Sequence, residues 1–221
     1  MQPLVIALLG AESTGKSELA EALAARIPVL TGLHSSWVPE LLRDWCATRG
    51  RTPRADEQGE IARGQQQRIE EAAATHDVVV CDTTALMTAV YSRYVFGDRS
   101  LDAWAAEQHR RCSATLVTAL DLPWLPDGVQ RDGPHAREPV DTMLREMLVA
   151  HALPWSLVSG GGNQRVESAI DALAPLLRRH AGPGSGLFTR LARRDAAAPR
   201  WTWVCETCDL PECEHLSMRP V

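Results

Sequence analysis

The chain has 221 residues, 45% of them hydrophobic, with 23 basic and 28 acidic side chains and a formal net charge of -5. Length and composition predict one ordinary domain with a real core and exclude general disorder. The acidic balance excludes a surface built to displace counterions from phosphate backbones, so no DNA or RNA partner is expected. Of the basic residues, 22 are arginine and one, Lys16, is lysine.

Leu4 to Leu9 is a short apolar run ending at Gly10, the pattern of a buried strand and too short to span a membrane. It lacks the charged leader and cleavage site of a signal peptide, so a cytoplasmic protein with no membrane partner is expected. Leu19, Leu23 and Ile27 recur at helical spacing and predict a helix over Ser17–Ile27. Helices are also predicted over Trp37–Thr48 and Ala55–His76, then a strand over Val78–Cys81 closed by Asp82. Two more helices, Ala85–Tyr94 and Leu101–Arg111, precede an apolar run from Ala114 to Leu120 that stops at Asp121.

Pro123 to Pro139 holds four prolines and two glycines and reads as a long loop, a type that usually carries function in a compact domain. A helix over Val140–His151, a strand over Trp155–Ser159, the triple glycine Gly160–Gly162 and a helix over Gln164–His180 follow. Continuous apolar strands alternating with helices predict an α/β fold: a doubly wound, mostly parallel sheet covered by helices on both faces. Gly182 to Gly186 is a linker by composition. The expected division is therefore a domain over 1–181, a linker over 182–200 and a cysteine-rich tail over 201–221.

Gly10-Ala11-Glu12-Ser13-Thr14-Gly15-Lys16-Ser17 fits the phosphate-binding pattern G-x-x-x-x-G-K-[ST] between a strand and a helix, the context that pattern requires. Such a loop turns successive backbone N–H groups and a helix N-terminus toward one anion-sized hollow. Lys16 would reach the β- and γ-phosphates of ATP, and the Ser17 hydroxyl would help to hold Mg²⁺. With 15 Gly and 26 Ser and Thr in the chain, its one lysine would acquire these neighbours by accident in about 5 of 10,000 arrangements. Asp82, at the carboxyl end of its strand, is the leading second Mg²⁺ ligand or catalytic base, with helix capping as its structural alternative. Asp121 is the weaker candidate.

In the tail, Cys205, Cys208, Cys213 and His215 supply three thiols and an imidazole at spacing that suits a closed, structural zinc site; free thiols are the alternative. A protein partner would be contacted through this segment.

The phosphate loop, Glu40-x-x-Arg43, Gln66, Cys81-Asp82-Thr83 and Asp121-x-Pro123-Trp124-x-x-Asp127-Gly128 together resemble the ribosylnicotinamide kinase domain of the bifunctional nicotinamide-nucleotide adenylyltransferase/ribosylnicotinamide kinase family. The resemblance extends to related single-domain P-loop proteins of AAA type and covers residues 3 to 178. It implies a P-loop fold and transfer of the ATP γ-phosphate to the 5′-hydroxyl of a nucleoside, with nicotinamide mononucleotide as product. It further implies that Arg131 and Arg137, on either side of Gly133-Pro134, belong to a lid that closes on the phosphates, the alternative being solvated arginines. Glu40 and Arg43 share a helical face and either contact the substrate or form a surface ion pair. Trp124 either stacks on a base or fills the core, and Arg165 would lie against adenine.

Two positions depart from the resemblance. Thr84 stands where an acidic residue is expected, and Gln130 precedes Arg131 where an arginine is expected. With the phosphate loop beginning at residue 10, no adenylyltransferase half is expected and NAD synthesis by this chain alone is not. The departures keep a rival open, a regulatory or binding P-loop ATPase or GTPase without a small-molecule phosphoacceptor. The absence of an Asn-Lys-x-Asp run, which needs a second lysine, counts against the guanine-specific form of that rival.

Overall fold

In the computed structural model, which describes residues 2–125 and 133–181, Leu4–Leu9 (β1) occupies the centre of one sheet. Val78–Asp82 (β3) and Ala114–Thr118 (β4) flank it, and Ser35–Val38 (β2) and Ser156–Val158 (β5) form the edges, in the order β2-β3-β1-β4-β5. Every pairing is parallel. The two central apolar runs are buried on both faces because side chains alternate across a strand. Leu4, Ile6 and Leu8 of β1 pack with Val78 and Val80 of β3 on one face, while Ala7 and Leu9 point to the other.

Two helices, Lys16–Thr31 (α1) and Gly162–Ala181 (α7), cover the first face. The second face carries Gln58–Ala73 (α3), Ala85–Phe96 (α4), Asp102–His109 (α5) and Arg137–Ala150 (α6). Ile6, Leu8, Leu23 and Leu116 are fully buried, each contributing about 1.5–3 kcal/mol relative to exposure. The doubly wound α/β fold is as expected.

The helix predicted over Trp37–Thr48 is instead an edge strand followed by a shorter helix, Leu41–Arg49 (α2). Pro39 explains the change: it disfavours helical geometry at Val38, so Trp37 and Val38 stay extended and pair with Val80 and Cys81. The long helix predicted from Ala55 is broken as well, into a 3-10 turn at Ala55–Glu57 and α3.

In contrast, α1 runs through Pro28 to Thr31 rather than stopping at Ile27. Proline leaves the carbonyl of Ala24 without its usual N–H partner, and the Ser35 hydroxyl donates to it instead. The region expected as loop up to Pro139 is already helical from Arg137. Residues 182–221, which include the linker, Cys205, Cys208, Cys213 and His215, lie outside the described residues, as do Asp127, Gly128, Gln130 and Arg131.

Candidate nucleotide and substrate site

The phosphate loop joins the end of β1 to the first turn of α1, so Lys16 is the first helical residue and the positive end of the helix faces the loop. Gly15 takes a left-handed conformation, φ 73°, that a side chain would strain. Gly10 is required for a different reason: a Cβ there would collide with the Thr118 hydroxyl of the adjacent strand. Ser13 is left-handed without being glycine, φ 55°; its hydroxyl accepts from the Leu125 N–H at 2.7 Å. The Lys16 ammonium donates to the Ala11 carbonyl at 2.7 Å, which lays the side chain across the loop.

Asp82 ends β3 directly beside Leu8 of β1, on the same sheet edge as the loop. It is 2% exposed, and its Oδ1 has no hydrogen-bond partner among the described residues. Capping does not account for it, because Thr84 is the N-cap of α4 and accepts from the Leu86 N–H. A buried carboxylate oxygen without a donor is costly in isolation, and the donor chemistry fits a bound cation: Asp82 ends its strand on the sheet edge where the phosphate loop begins, and Ser17 follows Lys16 in that loop. Thr83, the residue after Asp82, is held at φ 74°, unusual for a β-branched residue, with its N–H donating to the Leu8 carbonyl.

A cavity of about 210 Å³ opens beside the loop, its walls including Glu12, Lys16, Glu40, Arg43 and Thr83. The α4 helix contributes an apolar part of the wall: Met87, Tyr91, Val95 and Phe96, on successive turns. Glu40 lies 3.8 Å from Arg43, whose Nη2 donates to the Ser17 hydroxyl at 3.5 Å. The structure thus brings Lys16, Glu40 and Arg43 to one space.

Trp124 is half-buried and is not part of the described cavity wall. Arg137 opens α6 and is 9% exposed, with Nε and Nη2 lacking hydrogen-bond partners among the described residues. Arg165 is buried against Gly160, Thr14 and Asp121 rather than open to the surface. Thr84, the first departure from the resemblance, turns to the His109 ring at 3.1 Å, away from the cavity wall.

Three contributors were not anticipated from sequence. Thr118 donates to the Thr14 hydroxyl at 2.7 Å from beneath the loop. Gln65, almost fully buried, accepts from the Leu41 N–H at 2.7 Å and donates to the Pro39 carbonyl at 3.3 Å, bracketing Glu40. Its neighbour Gln66, the residue in the resemblance, pairs with Glu70 instead. Gln58 is buried in the cavity wall. The helical register that separates Gln65 from Gln66 depends on where α3 begins, and Pro39 was the signal for the strand that places Glu40.

No cysteine among the described residues is suited to nucleophilic work, since burial pushes the Cys81 and Cys46 thiols up and Cys112 to about 12. No group of three or more His, Cys, Asp or Glu able to hold a metal occurs among the described residues, and no described helix is long and apolar enough to cross a membrane.

Comparison with solved structures agrees with this architecture. A NadR protein in complex with NR matches with a TM-score of 0.66 at 21% identity, covering 79% of this chain and 51% of that one. A NadR protein in complex with NAD and AMP-PNP gives 0.63 at 21% identity, with 79% and 49% covered. The chain therefore spans about half the length of these two proteins. Thymidylate kinase from Ehrlichia chaffeensis gives 0.54 at 11% identity, with 80% and 100% covered. No curated protein matches. The AAA domain model AAA_28 matches residues 5–165, most of the described chain, and the protein belongs to that AAA domain family of P-loop fold.

Proposed function

We propose that the protein is an ATP-dependent kinase that transfers the γ-phosphate to the 5′-hydroxyl of a nucleoside of the nicotinamide riboside type. One observation carries this reading: the phosphate loop opens onto a cavity that pairs carboxylates with an apolar wall. A pyridinium nucleoside is a flat ring with a positive charge, and it asks for both. Met87, Tyr91 and Phe96 offer the ring an apolar surface, and Glu12 and Glu40 offer its charge complementary partners. The likeness to a NadR protein in complex with NR supports the same substrate class.

Phosphoryl transfer is mostly positioning and charge neutralisation. The loop N–H groups and the N-terminus of α1 receive the phosphates, and Lys16 meets the charge that gathers on the β–γ bridge and γ-oxygens. Ser17 and Asp82 would hold Mg²⁺, which neutralises phosphate charge when bound. The alternative assignment for Asp82 is the base that accepts the proton of the attacking hydroxyl. Arg43 is assigned to the ribose side of the cavity. Arg137 and Arg131 are assigned to the transferring phosphate; the two nitrogens of Arg137 without hydrogen-bond partners among the described residues support that role for Arg137.

The test is ADP formation measured against a panel of nucleosides. Activity that requires nicotinamide riboside, with thymidine, uridine and adenosine at least tenfold poorer in kcat/KM, supports the reading. Phosphate release independent of any nucleoside would replace it with the regulatory ATPase.

A further inference from the structure

Of Thr14, the phosphate loop itself ties down only the hydroxyl, which donates to the Ala11 carbonyl at 2.8 Å; what holds the Thr14 carbonyl lies outside the loop. Thr14 is fully buried and sits between two left-handed residues, Ser13 and Gly15. Thr118 holds its hydroxyl. Its carbonyl accepts from Arg165 Nη1 at 3.1 Å, a contact that reaches across 151 positions of chain. Arg165 is 3% exposed and uses its other nitrogens as well: Nε donates to the Gly160 carbonyl at 2.7 Å, and Nη2 pairs with Asp121 Oδ1. The second oxygen of Asp121 accepts from the Gly160 N–H at 2.6 Å.

We propose that Arg165 and Asp121 are a positioning pair for nucleotide phosphate. They lock the phosphate loop, the segment after β4 and the glycine turn after β5 into one unit. This role rests on the phosphate-loop reading. In a planar trans peptide the C=O and the following N–H point in opposite directions. Fixing the Thr14 carbonyl outward on Arg165 therefore aims the Gly15 N–H inward, as a preorganised donor for the nucleotide's phosphates. Gly160 is gripped on both its N–H and its carbonyl, so the turn that follows β5 cannot shift without releasing that donor.

Lysine cannot replace Arg165, because three acceptors lie around one planar fork. A buried guanidinium also stays where it is only while its carboxylate partner remains.

The experiment is calorimetric titration of the full chain with ADP and with AMP, alongside urea unfolding. Arg165→Gln and Arg165→Lys are expected to weaken ADP binding at least tenfold. AMP, which lacks the β-phosphate, is expected to lose less than threefold. Asp121→Asn, a change of charge without change of shape at a partly exposed position, is expected to weaken ADP in the same sense, and the double variant Asp121→Asn/Arg165→Gln to be no weaker than Arg165→Gln alone. If the Arg165 variants do not fold, Asp121→Asn decides by the same ADP-to-AMP ratio. A folded variant with that ratio within twofold of wild type overturns the proposal. Failure of the wild-type protein to bind ADP at all would remove the phosphate-loop reading itself.

Discussion

Arg43 donates to the hydroxyl of Ser17 at 3.5 Å, so a residue of the Glu40-x-x-Arg43 turn reaches the residue that ends the phosphate loop. The contact ties the cavity wall, which Arg43 lines, to the end of the phosphate loop. Arg43 is about half exposed and its ion pair with Glu40 is long, so little stability depends on it. Its value is positional. Arg43→Ala is expected to lower kcat/KM for the nucleoside by about 10–100-fold while leaving the urea midpoint unchanged. A purely structural pair would show the reverse, and steady-state kinetics beside a denaturation curve separates the two.

Lys16 is the most exacting position. Its ammonium is a compact charge on a flexible stem, already folded back over Ala11. Lys16→Ala is expected to reduce turnover by about 10²–10³-fold or more, with an unchanged circular dichroism spectrum. Lys16→Arg should fare little better, because a broad planar fork does not fit a hollow shaped for a single nitrogen. Activity retained in either variant would refute the assignment of the loop.

Glu40 is legible in the sequence but its support is not. Gln65→Leu removes the acceptor for Leu41 N–H and the donor for Pro39 carbonyl, two groups at the corner where Glu40 begins α2. Orphaning them is expected to cost about 1–3 kcal/mol of stability. The nucleoside KM should rise about tenfold, with kcat changed less than twofold; 1.4 kcal/mol of lost ground-state and transition-state binding corresponds to that factor. A normal KM in the folded variant would dissociate Gln65 from the site.

His109 gives a pH signature. It is buried between the Thr84 and Thr115 hydroxyls, and desolvation lowers its imidazole to about 4. The unfolded chain takes up a proton near 6.5 and the folded chain does not until about 4. Stability is therefore complete above 6.5 and is lost progressively as pH falls toward 4. Between pH 7 and 5 the loss is expected to be about 2 kcal/mol. His109→Gln, which keeps polar atoms for the threonines, should flatten this difference in paired urea titrations. An unaltered pH slope would assign it to other groups.

Much of the fold could be read in the chain because its signals are local. Continuous apolar runs such as Val78–Cys81 can only be buried on both faces, and helices spaced between them impose a parallel sheet. The phosphate loop was legible for the same reason, as eight consecutive residues with one physical purpose. Misreadings came where a single backbone effect outweighed periodicity. Pro39 converted Trp37 and Val38 from helix to edge strand, whereas Pro28 failed to end α1 because Ser35, several residues on, satisfies the orphaned carbonyl.

The site's supporting residues were hidden because they act at long range. Thr118 and Arg165 are ordinary residues in sequence, and only the pairing of β4 with β1 and the packing of α7 bring them beneath Thr14. Sequence assigned Arg165 to adenine and gave no sign that its nitrogens are occupied by Thr14, Gly160 and Asp121.

The central claim is that the γ-phosphate leaves ATP for a nucleoside oxygen. Incubating the protein with ATP carrying ¹⁸O on the γ-phosphate, Mg²⁺ and nicotinamide riboside, and then weighing the products by mass spectrometry, follows that group directly. The account predicts the label in nicotinamide mononucleotide, formed one for one with ADP. Label found only in inorganic phosphate, at a rate indifferent to the nucleoside, would contradict it.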